Sequence, residues 1–331
     1  MTSGPTVKCD FTSCKPDISS YIAIWLWLGW FFLYPVFFIF VVYHTCYGGF
    51  YSSIILYICL LLITISGLFG TERNSQPQFG NDLGKWIMIN ATKYFQLRVV
   101  IMDEEKLNRT KLCFFGLEPH DILPIGIFSL SKYIGAFGNR SIVGSMTSIV
   151  FKIPLIKHIY TWVDAVPAEK YVLTKHLQNG DSCMLCPGGV KEVALIAHAK
   201  PNEVVLYLQE RHGFIKLCLT NGAAIVPYIC FGQRNCFSYW MPTSSWFLSF
   251  GRKAGFLPMM YFGLWGLPLG PPKPCQITAV CGVPIEVPGI IENPTNEQIK
   301  HYKDLFIEGT RTLYDANKAL YGDPNTKLII K

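Results

Sequence analysis

Residues 21–43 read YIAIWLWLGWFFLYPVFFIFVVY, and residues 50–69 read FYSSIILYICLLLITISGLF. Both runs lie within 54 consecutive residues, 18–71, that contain no Asp, Glu, Lys or Arg. Each run has about the 20 apolar residues that a helix needs to cross a hydrocarbon core of about 30 Å. The intervening sequence, HTCYGG, has two glycines that allow a tight turn. The sequence therefore predicts an N-terminal transmembrane helical hairpin over residues 21–70.

Two other interpretations of these runs fit less well. A pair of buried core helices is the first, and the absence of a polar face on either run argues against it. A cleaved signal peptide is the second, but no basic n-region precedes the tandem runs. The connecting loop has no Lys or Arg, whereas Lys8 precedes the first run and Arg73 and Lys85 follow the second. By the positive-inside rule both termini are expected in the cytosol, with residues 1–20 as a cytosolic tail.

The remainder, residues 71–331, is predicted to be a cytosolic body with a mixed α/β sheet flanked by helices. Only 15% of the whole chain is charged, against about 25% in soluble domains, but the deficit is concentrated in the apolar block. Short apolar runs alternate with turn residues and helix-like segments, an order typical of α/β domains. The predicted strands are LRVVIM, CFFGL, SIVGS, DAVPA, SCMLCP, VVLYL, AAIVPYICF and QITAVCGVPIEV. The predicted helices are residues 85–95, 147–160, 169–178, 214–220 and 298–320.

One segment of the body, residues 236–270, is dominated by Phe, Trp, Met, Leu and Gly. No run within it is long or regular enough to span a membrane. Ordinary core packing and contact with the membrane are both open for this segment. The second alternative would make the body itself membrane-associated.

The first motif that indicates chemistry is Glu118-Pro119-His120-Asp121, directly after the predicted strand CFFGL. A histidine held just past a strand end by a proline is well placed as a general base. Its intrinsic pKa suits proton transfer near neutral pH. The alternative is an ordinary surface or core histidine.

The second motif is PGGVKE, residues 187–192, after the apolar run CMLC. Two glycines after a strand allow backbone N–H groups to face a developing negative charge, as in an oxyanion hole. Glu192 is then placed to orient an imidazole. The alternative is a tight turn in which Glu192 is simply a carboxylate at a helix N-terminus.

The third motif is RHGFIK, residues 211–216. Arg211 and Lys216 have the charge and donors that suit phosphate groups, although a solvated basic helix start is the alternative. The net charge of +7 is spread along the body, which favours an anionic membrane surface and argues against a nucleic-acid partner. The one Cys-x-x-Cys, Cys183 to Cys186, has no second pair at zinc spacing, so no metal site is predicted.

In this order and spacing, the motifs resemble one family, the type-2 diacylglycerol acyltransferases, which includes monoacylglycerol and wax-alcohol acyltransferases. The resemblance extends from the hairpin to the C-terminus and is densest between Asn90 and Glu286. It is carried by YFQLRVV, GLEPHDILPIG, PLIKHIYTWVDAVPA, LCPGGVKE, ERHGFIKL, VPYICFGQ and GVPIEV. The Glu-Pro-His opening is similar to the plant and algal branch.

The resemblance implies an enzyme that transfers an acyl group from acyl-CoA to diacylglycerol and forms triacylglycerol, without a cofactor. It also implies location in the endoplasmic reticulum membrane, with lipid droplets as a second site. Membrane lipid is an expected partner, and homo-oligomer formation is left open. The alternatives are acylation of monoacylglycerol or a long-chain alcohol, and an inactive protein that binds lipid droplets.

The resemblance also assigns roles to residues. His120 would be the general base, Glu192 would position it, and the backbone of Gly188 and Gly189 would bind the oxyanion. The remaining residues are expected to contact substrates, and they are Glu118, Pro119, Asp121, Arg211 and Lys216.

Two departures from the related patterns bear on this site. Asp121 stands where the family usually has Gly or Ser, and its charge is expected to raise the pKa of the neighbouring base. The His-x4-Asp pair of related lysophospholipid acyltransferases is absent, because Ile125 lies five residues after His120. Glu192 is therefore the predicted group that orients the histidine.

Overall fold

A mixed β-sheet with helices on both faces forms the centre of the protein, as predicted. The computed structural model describes residues 4–66, 76–196, 199–200, 202–240 and 259–331. The strands are β1 (Thr6–Asp10), β2 (Arg98–Ile101), β3 (Cys113–Glu118), β4 (Ile142–Met146), β5 (Ala165–Pro167), β6 (Ser182–Leu185), β7 (Glu203–Leu206), β8 (Ala224–Phe231), β9 (Ser238–Trp240), β10 (Met260–Phe262), β11 (Thr278–Cys281) and β12 (Lys327–Ile330). The helices are α1 (Ile18–Leu28), α2 (Trp30–Tyr47), α3 (Phe50–Ser66), α4 (Gln78–Tyr94), α5 (Glu104–Arg109), α6 (Ile156–Trp162), α7 (Lys170–Gln178), α8 (Gly189–Ile196), α9 (Gly213–Asn221) and α10 (Asn296–Tyr321).

The main sheet has eight strands in the order β1-β2-β11-β8-β3-β6-β4-β5. From β8 to β5 all neighbours are parallel. β11 runs antiparallel to β8, and β1 runs antiparallel to β2. The short pairs β9–β10 and β7–β12 lie outside this sheet. Because β3 lies in the parallel part, its carboxyl end shares an edge with the carboxyl ends of both its neighbours.

All eight predicted strands are confirmed, whereas β1, β9, β10 and β12 were not predicted. β1 lies inside the predicted tail and joins the sheet through β2. The predicted helix over residues 147–160 is divided into a 3₁₀ turn, Ser148–Lys152, and α6. Pro154 explains the division, because proline disfavours helical backbone at the residue before it.

Two apolar cores cover the faces of the sheet. One contains buried residues of α1, α4 and α6, and the other contains buried residues of α7, α9 and α10. Phe306 of α10 packs so closely on β3 that a Cβ at Gly116 would lie 2.5 Å from its ring. Glycine at this position therefore lets α10 approach the centre of the sheet.

The first predicted membrane run is divided at Gly29, between α1 and α2. Ile24, Trp27 and Leu28 of α1 are buried in the core with residues of α4, so this part of the run belongs to the body. The physical reason is that α4 offers an apolar face directly to α1. α2 has no buried residue, and most of its exposed side chains are apolar or aromatic.

The 18-residue helix α2 has a mean hydropathy of 1.5 and, within the described ranges, is the one helix long and apolar enough to cross a membrane. α3 is apolar but shorter, and the hydroxyl groups of Thr45 and Tyr57 lie 3.0 Å apart between the two helices. Residues 67–75, which follow α3, lie outside the described residues, and α4 begins at Gln78. Residues 241–258 of the aromatic segment also lie outside the described residues.

Candidate active site

The predicted motifs meet at the carboxyl edge of three adjacent parallel strands. β3 ends at Glu118, β6 ends at Leu185 and β8 ends at Phe231. β3 lies between the other two. The loop with His120 is therefore flanked by the PGGVKE turn on one side and by the loop after β8 on the other.

Glu192 lies in the first turn of α8 and is fully buried. Its Oε1 accepts a hydrogen bond from the backbone N–H of His120 at 2.5 Å, and its Oε2 accepts one from the N–H of Tyr207 at 3.2 Å. The two predicted catalytic residues are thus in contact, but the carboxylate holds the main chain of His120 and not its ring. Burial raises the pKa of Glu192 to about 7, although these hydrogen bonds lower it.

The imidazole of His120 is oriented by the next residue. Its Nδ1 lies 2.9 Å from the backbone carbonyl oxygen of Asp121. Because a carbonyl can only accept, Nδ1 carries the hydrogen and Nε2 keeps its lone pair. Asp121 has left-handed backbone (φ 51°), which aspartate tolerates better than most residues. The group that orients the ring is therefore a main-chain carbonyl, which side-chain motifs do not reveal.

The pKa of His120 is lowered from its ordinary value, mainly because the loop is desolvated. The hydrogen bond to the Asp121 carbonyl acts in the opposite direction, and the Arg211 charge lowers the pKa further. The predicted increase of this pKa is therefore wrong in direction. A lowered pKa leaves the imidazole neutral at pH 7, the form required of a base.

Glu118 is the last residue of β3 and is buried beneath the loop. Its Oε1 accepts a hydrogen bond from the N–H of Gly188 at 3.2 Å, and the Cys186 thiol lies 3.8 Å from its Oε2. Burial and the neighbouring Glu192 raise the pKa of Glu118 well above its ordinary value. The interaction between the two side chains raises the pKa of Glu118 and lowers that of Glu192, which favours a shared proton on Glu118. The structure thus places Glu118 against its own chain, not at a surface where a substrate would bind.

The two glycines of the PGGVKE turn are also engaged within the chain. The N–H of Gly188 is directed to Glu118, and that of Gly189 to the Cys186 thiol. A Cβ at Gly188 would lie 2.0 Å from Oε2 of Glu192, so this position requires glycine. Gly189 has left-handed backbone (φ 56°). The contacts explain both glycines structurally, and the oxyanion role stays a prediction.

Gln233, in the loop after β8, holds the other side of the His120 loop. Its Nε2 donates to the carbonyl oxygen of Pro119 at 2.5 Å, and its Oε1 accepts from the N–H of Gly126 at 3.0 Å. The side chain is buried. Burial also raises the pKa of the neighbouring Asp121 to about 6. The loop that contains Pro119 and Asp121 is therefore held by Gln233 on one side and by Glu192 on the other.

A cavity of about 570 Å³ adjoins this loop. The residues that line it include Pro119, Asp121, Glu192, Tyr314 and Asp323. The predicted substrate contacts of Pro119 and Asp121 stay predictions, but both residues face this space.

The two basic residues of the third motif are placed differently. Nη2 of Arg211 donates to the carbonyl oxygen of Gly188 at 2.5 Å, and its guanidinium lies 5.0 Å from the centre of the Tyr207 ring. Arg211 is thus in contact with the PGGVKE turn. Lys216 is exposed on α9, away from these contacts.

Sequence reasoning missed three residues of the network, Cys186, Tyr207 and Gln233. Gln233 had a recognisable signal, because it follows the fully buried strand β8 in the string FGQ. Tyr207 contributes a backbone N–H, so its side chain gave no indication of this contact.

Comparison with known proteins agrees with this arrangement. The family model described as "Diacylglycerol acyltransferase" matches residues 46–331. The chain is 25% identical to "Diacylglycerol O-acyltransferase 2" of Homo sapiens over 84% of this chain and 77% of the relative. It is 31% identical to "Diacylglycerol O-acyltransferase 2-like protein 6" of Homo sapiens over 63% and 67%, respectively. It is 28% identical to "2-acylglycerol O-acyltransferase 1" of Homo sapiens over 77% and 80%.

A solved structure of a 1-acyl-sn-glycerophosphate acyltransferase from Thermotoga maritima matches 89% of this chain and 97% of its own, with a TM-score of 0.40 and 12% identity. A TM-score this low does not establish a shared fold or function. The family match is different, because it covers the sheet, the His120 loop, the PGGVKE turn and the RHGFIK segment together. This protein belongs to the diacylglycerol acyltransferase family.

Proposed function

We propose that this protein transfers a fatty acyl group from acyl-CoA to the free hydroxyl of diacylglycerol and forms triacylglycerol. The observation that carries the proposal is the imidazole of His120. Its Nδ1 is held by the Asp121 carbonyl at 2.9 Å, which leaves Nε2 as a base within a family-matched site. The match to diacylglycerol O-acyltransferase 2 supports diacylglycerol as the acceptor.

In the proposed reaction, Nε2 of His120 accepts the proton of the acceptor hydroxyl while that oxygen attacks the thioester carbonyl carbon. The tetrahedral intermediate collapses, the C–S bond breaks and the new ester C–O bond remains. The imidazolium returns its proton to the leaving thiolate, which departs as CoA. The step requires no cofactor, and the histidine ends in its starting form.

The buried acids have a positioning role in this proposal. Glu192 holds the backbone N–H of His120, and Glu118 holds Glu192. Neither carboxyl group needs to touch a substrate. Their contribution is to keep the imidazole in the geometry for reaction, for which an error of about 1 Å can reduce the rate about 100-fold.

The proposal places the enzyme at a membrane, where its lipid acceptor dissolves. The unburied apolar helix α2 supports this location, together with the apolar helix α3. We assign these two helices to a hairpin with both termini cytosolic, in the endoplasmic reticulum membrane. The division at Gly29 puts α1 in the body and sets the start of the hairpin at Trp30.

Monoacylglycerol is a second candidate acceptor. The match to 2-acylglycerol O-acyltransferase 1 is as extensive as the match to the diacylglycerol enzyme. The chemistry at His120 is the same for both acceptors, because each presents a hydroxyl group on a glycerol carbon.

The test uses purified full-length protein, labelled acyl-CoA and separate assays with diacylglycerol, monoacylglycerol and a long-chain alcohol. We expect labelled triacylglycerol, and a loss of at least about 100-fold in His120→Gln. His301→Gln on the exposed surface of α10 is the matched control and should be fully active. Activity of His120→Gln near wild type would overturn the mechanism. If product forms only with monoacylglycerol or the alcohol, diacylglycerol is not the acceptor. If no product forms with any of the three acceptors, the proposed acyltransferase activity is wrong.

A further inference from the structure

A cluster of basic side chains lies at and beside Tyr207, the residue whose backbone N–H donates to Glu192. Nζ of Lys191 lies 5.2 Å from the centre of the Tyr207 ring, and the guanidinium of Arg211 lies 5.0 Å from it. Nζ of Lys303 donates to Nε2 of His212 at 3.3 Å. We refer to Lys191, Tyr207, Arg211, His212 and Lys303 as the Tyr207 cluster.

The cations of the Tyr207 cluster are not neutralised by acidic partners. Among the described residues, Lys191, Arg211 and Lys303 form no ion pair with a carboxylate. Lys303 instead donates to the carbonyl oxygen of Gln209 at 2.6 Å, and Glu210 accepts from the Tyr207 hydroxyl. Asp304, which lies beside Lys303, is paired with Lys300 at 2.7 Å. The three positive charges therefore leave a surface suited to an anion.

The Tyr207 cluster is connected directly to the catalytic network. The backbone N–H of Tyr207 donates to Glu192, and Arg211 donates to the carbonyl oxygen of Gly188. The cluster also lies at the N-terminus of the nine-residue helix α9, where the helix dipole favours negative charge. A group bound here would lie beside the turn that supports His120.

The cavity of about 570 Å³ beside the His120 loop is less suited to an anion. Its wall contains the carboxyl groups of Asp121, Glu203 and Asp323 and, among the described residues, one arginine, Arg234. A ligand with several phosphate charges would be repelled there. The electrostatics therefore distinguish this cavity from the Tyr207 cluster.

We propose that the Tyr207 cluster binds the phosphate groups of CoA. This inference rests on the proposed function and adds Lys191, His212 and Lys303 to the Arg211 that the sequence indicated. Arginine presents a planar fork of donors to phosphate, and lysine presents a point charge. The cluster would hold the polar end of acyl-CoA in water and leave the thioester free to reach His120.

The experiment measures binding of CoA itself, without an acyl group or an acceptor, to the purified full-length protein. Equilibrium dialysis compares CoA with 3′-dephospho-CoA for wild type, Lys191→Ala and Lys303→Ala. Each substitution should weaken CoA binding about tenfold, the effect of losing one charge-assisted hydrogen bond. Both variants should also reduce the preference for CoA over 3′-dephospho-CoA. Lys300→Ala is the matched control, because Lys300 lies one turn away on α10 and pairs with Asp304 at 2.7 Å.

Unchanged CoA affinity in both Lys191→Ala and Lys303→Ala would overturn the inference, as would an equal loss in Lys300→Ala. A charge reversal, Lys303→Glu, gives a larger expected loss from a surface position. Because binding requires no turnover, the result is separate from that of the acyltransferase assay. CoA binding that depends on the cluster in a protein without acyl transfer would keep the site and overturn the proposed function.

Discussion

Two regions of this protein reverse the usual distribution of side chains, and they do so in opposite directions. α2 has no buried residue, and beyond Tyr34 most of its apolar side chains are exposed. The loop around His120 does the reverse, because Glu118 and Glu192 are buried carboxyl groups. Apolar groups in water and carboxyl groups in a core are both unfavourable unless something compensates for them.

The difference lies in where the compensating partner is found. The carboxyl groups are satisfied within the chain, by backbone N–H groups of His120, Tyr207 and Gly188. Beyond Tyr34, the exposed apolar side chains of α2 have no comparable partner in the described parts of the chain, and we assign that role to a lipid bilayer. The acid network, Glu118 and Glu192 with their backbone donors, is therefore a property of the folded body alone, whereas in our proposal α2 requires a membrane. Substitutions in the two regions should consequently affect different measurements.

The largest effect is expected from Glu192→Ala, which removes the acceptor from two N–H groups at once. Each buried donor left unpaired costs about 1–3 kcal/mol. We expect at least a 100-fold loss of acyltransferase activity and a lower free energy of unfolding, measured by initial rates and by denaturant titration. Glu308→Ala on the exposed face of α10 is the control. Near-normal activity of Glu192→Ala would show that the His120 loop does not depend on this carboxylate.

The matching test in α2 is Ile39→Asp, at a position that is 66% exposed. A charge near the centre of a membrane helix costs about 2.5–3.5 kcal/mol. We expect the variant to be released from membranes by salt or alkaline washing, with the unfolding temperature of the body unchanged. Ile290→Asp, at an exposed position of the body, should remain membrane-bound. Unfolding of the body in Ile39→Asp would mean that α2 packs on the body and does not face lipid.

The contrast also explains what the sequence could predict. The strands were predictable because apolar runs bounded by turn residues are a local signal, and β3, β6 and β8 were all found in this way. The grouping of His120 with Glu192 was predictable once both motifs were placed after strands. The contacts of the two side chains were not predictable, because Glu192 accepts from a backbone N–H and the His120 ring bonds to a backbone carbonyl.

The division at Gly29 could not be predicted for a related reason. α1 and α2 are both apolar, and composition does not distinguish a core from a bilayer as the surroundings of a helix. The difference arises from α4, whose Ile87 and Met88 lie in the same core as Ile24. That contact joins segments about 60 residues apart, so no local pattern encodes it.

A smaller effect is expected from pH, through the acid network alone. Burial raises the pKa of Glu192 from 4.5 to about 7, so the folded protein holds this proton more tightly than the unfolded chain. The stability contribution is complete below pH 4.5 and is lost as pH rises through 7, at up to about 1.4 kcal/mol per pH unit. Glu192→Gln should flatten this slope in unfolding measurements between pH 5 and 8.

The matched variant for the pH experiment is Glu118→Gln, whose amide N–H replaces the protonated carboxyl group as donor to Glu192. Because the pKa of Glu118 is also raised in the folded protein, this variant should flatten the slope as well. An identical slope in wild type and Glu192→Gln would place the titration elsewhere in the protein. Ile39→Asp should leave the slope unchanged, because α2 has no part in the network.

The smallest expected effect is at the start of α2, where polar contacts join this helix to the body. The hydroxyl of Tyr34 in α2 donates to the carbonyl oxygen of Pro154 in the body at 2.6 Å. Tyr34→Phe should lower the free energy of unfolding of the body by about 1 kcal/mol, the net value of one hydrogen bond. Membrane retention should not change, because the apolar surface is kept.

Tyr47→Phe, at the exposed far end of α2, is the control for this experiment and should have no effect on unfolding. An equal loss in Tyr34→Phe and Tyr47→Phe would mean that the Pro154 contact adds nothing specific. A loss of membrane retention in Tyr34→Phe would mean that the first turns of α2 depend on the body for their insertion. The boundary between the body and the proposed membrane helix would then lie beyond Tyr34, and not at Gly29 between α1 and α2.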